Sequence, residues 1–225
     1  AMFFVLALLL YVKGRQRQLA AERRQTALAA WAWFLASAVA GLLAVGSKEI
    51  AATLPFFIFL YEWYFFQDLH WSWLRGKLVW LVAGVVGVLS LAYVYTGGQV
   101  VEVFVNSCDK RDFNVLERLL TQFRVVIHYI SLIFYPNPNR LALDYDFPVS
   151  TSLLSPQTTL FSLFAILALL ALAVVLARRE RLVSFCLLWF FGNLVIESSV
   201  ICLEIIFEHR TYLPSMFIVL LVVAL

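Results

Sequence analysis

The sequence predicts an all-α polytopic membrane protein, and three observations carry that prediction. Of 225 residues, 63% are hydrophobic and 14% charged, whereas soluble domains carry about 25% charged and 45–50% apolar residues. The apolar residues fall in blocks approaching the ~20 residues that cross a bilayer. Three short segments between the blocks, 13–26, 67–77 and 178–181, hold ten basic residues against three acidic, the bias that marks cytoplasmic loops. A membrane β-barrel would instead show ~10-residue alternating segments, and none is present. The formal charge of +3 says little, because placement of charge matters more than its sum.

Each element follows from this frame. AMFFVLALLLYV (1–12) is about half a span, and 213–225 is likewise short, so the chain reads as an internal piece of a longer protein. KGRQRQLAAERRQT (13–26) is cytoplasmic, and 27–46 crosses outward. Ser47, Lys48 and Glu49 form the outer turn, and 50–66 returns, with a kink expected at Pro55 because proline removes a backbone donor. Trp63 and Tyr64 suit the aromatic belt at the inner interface. After a second cytoplasmic loop, 78–95 goes out again. Span 159–177 then leads to the cytoplasmic RRER, and 182–200 crosses outward.

This threading leaves 96–158 as an exterior segment, although it contains the apolar-looking FRVVIHYISLIF. Glu117, Thr121, Arg124, His128, Ser131 and Tyr135 recur there at spacings of 4, 3, 4, 3 and 4. That is one polar stripe on a helix whose other faces carry Leu116, Leu119, Leu120, Phe123, Ile127 and Ile130. Such a helix is interfacial or re-entrant, its stripe turned to a wet cavity. The alternative is an ordinary span whose polar residues face other helices. Arg118 falls off the stripe and is expected to face solvent.

Three clusters carry candidate chemistry. Lys48 precedes a helix start, where free N–H groups and a positive helix end add to its ammonium and attract an anion such as phosphate. A snorkelling lysine paired with Glu49 or with a headgroup is the plainer alternative. EHRTY (208–212) offers Arg210, a fork suited to phosphate or carboxylate, with donors on His209 and Tyr212 and with Glu208 to orient it. A salt-bridged turn is the plainer reading there. Arg124, with His128 one turn below, forms the third. Asp144 and Asp146 are the best paired carboxylates of the exterior segment, although turn capping suits them too. Glu197 and Glu204 lie in apolar surroundings, where a carboxylate is costly and hence a functional candidate.

Cys108, Cys186 and Cys202 lack CxxC spacing, so neither a disulfide framework nor a zinc site is implied. No HExxH, Gly-rich phosphate loop, nucleophile elbow or nucleic-acid stacking motif occurs. No metal site, cofactor or nucleic-acid partner is therefore expected, and any need for a divalent metal is left open.

SKEIAATLPFFIFLYEW, LERLLTQFRVVIHYISLIFYP followed by LALDYDFP, and EHRTYLPSM together resemble motifs of GT-C type membrane glycosyltransferases. The resemblance is closest to bacterial relatives of the transmembrane-and-TPR-repeat O-mannosyltransferases. The motifs occur in the family's order along the chain. His209 separates Glu208 from Arg210, a departure that makes the match at Arg210 approximate. The resemblance implies a GT-C-like helical bundle in a bacterial inner membrane. It further implies a polyprenyl-phosphate-linked sugar as donor and transfer to a protein or glycan hydroxyl at the outer face. Lys48, Arg210, His209, Tyr212, Arg124 and His128 would bind the donor phosphate, and Glu49 and Glu208 would orient them. The family's general base lies in an upstream loop and its TPR array downstream, both expected outside this sequence. Asp144 and Asp146 are the weaker local candidates for the base. Two alternatives stand beside this: a non-catalytic membrane anchor of a TPR protein, and a transporter or flippase of an anionic lipid.

Overall fold

The structure is a computed structural model that describes residues 1–20, 24–99, 111, 113–136, 147–199 and 204–224. Among the described residues the regular elements are all helical. The chain divides into two compact units, Ala1–Asp68 and Leu69–Leu225, each taken by itself below.

In the first unit, helix α1 (Met2–Leu19) packs along α2 (Arg24–Ser47). The expected half-span 1–12 thus continues as helix into the basic segment, as far as Leu19. Gly14 makes the close approach feasible: a Cβ there would lie 2.9 Å from the Phe34 ring and 3.2 Å from the Trp33 Cβ. Higher up, the Ser37 hydroxyl donates to the Ala7 carbonyl at 2.7 Å, a bond between helices available because both residues are small. Phe4 meets Phe57 edge-on at 6.2 Å.

The return segment is built in three pieces: a 3-10 turn Glu49–Thr53, helix α3 (Leu54–Tyr61) and a π turn Glu62–Phe66. Pro55 falls in the first turn of α3, where the missing N–H has no intrahelical partner to lose. The expected kink inside a continuous helix is therefore a junction between two helix types. The π turn carries Glu62, a buried acid that no sequence argument singled out. Arg15 grips it through Nε (2.9 Å to Oε2) and Nη2 (2.6 Å to Oε1), Tyr11 donates to Oε2 at 2.9 Å, and Gln67 donates to Oε1 at 2.8 Å. A lone acid in an apolar return helix was the available signal.

The second unit begins with α4 (Trp71–Tyr95) and continues with α5 (Val115–Phe134), α6 (Thr158–Leu176), α7 (Arg181–Leu194) and α8 (Tyr212–Ala224). Its core gathers Val125 and Tyr129 of α5, Cys186 and Phe190 of α7, Ile206, and Ile218 of α8. Trp189 packs against Phe217, with ring centroids 4.4 Å apart and the planes tilted by 42°, and donates its indole N–H to the Leu213 carbonyl at 2.9 Å. Ser184 ties α7 to α6 through the Ala173 carbonyl, 2.6 Å away. Helix α7 ends at Leu194 in turns, so it is shorter than the expected span 182–200.

Among the described residues two helices are long and apolar enough to cross a membrane, α2 over Ala30–Ser47 and α6 over Thr158–Leu176, and only 22% and 17% of those stretches are buried. Helix α5 has the length but not the apolarity.

Candidate functional site

Helix α5 starts where its sequence says it should. Asn114 accepts from the Glu117 N–H at 2.8 Å, and the Glu117 carboxylate accepts from the Asn114 N–H at 3.0 Å, a reciprocal cap. The first member of the predicted stripe is thereby occupied in capping.

The next members hold the stretch 147–150 that leads toward α6. Thr121 donates to the Glu117 carbonyl at 2.7 Å and accepts from the Ser150 N–H at 2.8 Å. Ser150 accepts in turn from Thr159 at the head of α6, at 2.9 Å. Arg124 donates to the Pro148 carbonyl at 2.7 Å, and its guanidinium lies 4.8 Å from the Phe147 ring centroid. His128 meets the same ring edge-on at 6.1 Å.

Below these contacts the stripe opens. An open groove of about 470 Å³ runs between α5 and α6, lined by Arg124, His128 and Ser131 on one side and by Phe147, Phe161 and Ser162 on the other. The predicted polar stripe does therefore border a cavity. Its opposite wall is a face of α6, a helix long and apolar enough to cross a membrane. One end of the groove offers a guanidinium and an imidazole, and its flank offers hydrocarbon and aromatic surface. That combination suits an anionic amphiphile.

A second face of α5, invisible to the stripe argument, grips residues 204–207. Arg118 is 0% exposed, which corrects the expectation that it faces solvent. Its Nη2 donates to the Glu197 carbonyl at 2.8 Å and its Nη1 to the Glu204 carbonyl at 3.1 Å. Gln122 donates to the Ile205 carbonyl at 2.8 Å. The Tyr129 hydroxyl both donates to the Phe207 carbonyl (3.0 Å) and accepts from the Phe207 N–H (2.9 Å). An irregular strand-like stretch beside a helix bundle has no ladder to satisfy its amides, so side chains must. Burial, and then the nearby Arg210 guanidinium, push the Arg118 pKa down to about 10, which leaves it charged at neutral pH.

EHRT is a short 3-10 turn, Glu208–Thr211, closed by the Thr211 hydroxyl on the Glu208 carbonyl at 2.7 Å. Its side chains diverge. Arg210 is 5% exposed and donates to the Glu204 carbonyl at 2.7 Å, its guanidinium 5.2 Å from the Phe207 ring centroid. His209 is exposed and stacks on Phe207 at 5.1 Å, while Tyr212 is 67% exposed. Glu208 is half-buried. Glu204 pairs through its carboxylate with Arg111, and Glu197 is buried.

In the first unit Lys48 occupies the position just before the 3-10 turn, half-buried, with Glu49 exposed in that turn. The two motifs share one local device. Thr53 closes its turn on the Ile50 carbonyl at 2.8 Å, as Thr211 closes its own on Glu208, and a Leu-Pro pair lies in the first turn of the following α-helix in both. Asp144 and Asp146 lie outside the described residues, as do Cys108 and Cys202.

No family model matches the chain, and neither a curated protein nor a solved structure matches it.

Proposed function

We propose that this chain is part of a GT-C type membrane glycosyltransferase that draws a sugar from a polyprenyl-phosphate carrier and passes it to a hydroxyl at the outer face of a membrane. The observation that carries the reading is the groove between α5 and α6, where Arg124 and His128 face the wall of a helix apolar enough to cross a bilayer. The mostly unburied surfaces of α2 and α6 support the membrane half of the reading. Contiguous apolar surface of that extent is not kept in water, whereas lipid is a matching solvent for it. In this reading the carrier's phosphate meets Arg124 and His128, and its hydrocarbon runs along α6. Positive charge held at the phosphate stabilises it as it becomes the leaving group, often the largest single contribution to such catalysis.

Arg210 takes a different part from the one its motif implies. Held on the Glu204 carbonyl, it positions the turn that carries His209 and Tyr212. Lys48 lies in the first unit and is not among the residues that line this groove. No general base is assigned among the described residues.

The test is binding and transfer with a synthetic polyprenyl-phosphate hexose, comparing the parent chain, in its full protein context, with Arg124→Ala and His128→Ala. The reading requires weaker donor binding and slower transfer in both variants at unchanged melting temperature. Unaltered binding in both would sink it. The anchor alternative is favoured by one observation, the use of Arg118 and Arg210 on backbone carbonyls. It predicts no transfer from any donor.

A further inference from the structure

We infer that the first unit carries a separate site for an anionic glycerophospholipid, with the headgroup on Lys13 and Arg17 and an acyl chain between α1 and α2. An open groove of about 420 Å³ runs along the seam of these packed helices, and its walls are apolar, formed by Phe3, Leu6 and Leu10 of α1 and Ala36, Val39 and Leu43 of α2. Phe3, Leu6, Leu10, Lys13 and Arg17 follow one another at spacings of 3, 4, 3 and 4, so they share one face of α1. The apolar slot therefore continues, one turn on, into two cations.

Those cations are held in an unusual pose. The Lys13 ammonium and the Arg17 guanidinium both lie on the Trp33 ring, at 5.5 and 5.4 Å from its centroid. Like charges four residues apart on a helix repel. The indole face attracts each of them, and an anion beside the ring would remove the repulsion. Gly14 lets Trp33 reach between them, since any side chain there would strike Trp33 and Phe34. Arg15, the cation in between, is taken by Glu62, so the pair on Trp33 has its own role. Both residues are exposed and sit in the basic segment that the positive-inside bias puts at the cytoplasmic face. A cationic mouth on an apolar slot is complementary to an acidic lipid. A partner helix would need an acid at that same depth.

This inference rests on α2 crossing a membrane, though not on glycosyl transfer. The experiment is native mass spectrometry of the purified chain in detergent, titrated with phosphatidylglycerol or phosphatidylcholine. The parent should retain phosphatidylglycerol preferentially, and Lys13→Gln/Arg17→Gln should weaken that retention roughly thirtyfold, as expected for two surface cations. Ala36→Phe should weaken it while leaving the charges in place, and thermal melting should show both variants folded. Equal retention of the two lipids by the parent, or unchanged retention in the charge variant, would overturn the inference. So would a dimer that disappears in Ala36→Phe, because the slot would then be filled by a second copy. A chain that stays monodisperse without detergent overturns the membrane reading and this site with it.

Discussion

Arg118 and Arg210 donate to one acceptor, the carbonyl oxygen of Glu204, at 3.1 and 2.7 Å. Two cations from distant parts of the chain converge there because residues 204–207 run beside α5 without a backbone ladder. The EHR motif looks like an anion site in sequence. In the fold its arginine is turned inward, to close the segment that delivers His209 and Tyr212.

Replacing Arg118 with Met should cost about 2–4 kcal/mol of stability, since the Glu197 carbonyl loses a buried charge-assisted bond and the Glu204 carbonyl is left to Arg210. Arg210→Met should cost less, because Glu204 keeps Arg118. Thermal or denaturant melting of the two variants checks the order, and a larger loss for Arg210 would contradict the shared-acceptor picture.

Thr121→Val should destabilise by about 1–2 kcal/mol, because the Ser150 N–H loses its acceptor in a buried position. Thr121→Ser should restore most of that loss. Equal losses for Val and Ser would assign the effect to packing rather than to the hydroxyl.

In the first unit, Glu62→Gln and Arg15→Ala should each destabilise, by about 1–3 kcal/mol, because the charge-assisted bonds of a part-buried pair are lost. The double variant should lose less than the sum of the two. A double-mutant cycle with no coupling would remove the pair from the account.

Gly14→Val should separate α1 from α2 and lower stability by about 1–3 kcal/mol, the usual cost of overpacking. A milder effect for Gly14→Ala is expected only if Phe34 can yield, since its ring is 2.9 Å from the added carbon. Quenching of Trp33 in a variant lacking the other tryptophans would report the separation.

Much of the architecture could be read in advance. The apolar runs 27–46 and 159–177 correspond to α2 and α6, because a helix of uniform hydropathy announces itself by composition alone. The stripe at Arg124, His128 and Ser131 was visible as a 4–3 spacing, and it does border a groove. The second face, Arg118, Gln122 and Tyr129, was missed for a physical reason. Its partners are backbone carbonyls 78 to 86 residues away, and no local pattern encodes them. Pro55 is expected to kink a continuous return helix, but it stands in the first turn of α3, so its meaning depends on where the α-helix begins. The 3-10 turn before it, absent from any periodicity, sets that point.

The most direct test of the central claim is capture of the donor in the α5–α6 groove. A benzophenone amino acid in place of Phe161, irradiated with a polyprenyl-phosphate hexose in membranes, would report occupancy by the mass of the adduct. The account predicts a lipid adduct that unlabelled donor competes away and that Arg124→Ala/His128→Ala abolishes. An adduct of equal yield in that double variant, or none in the parent, would contradict it.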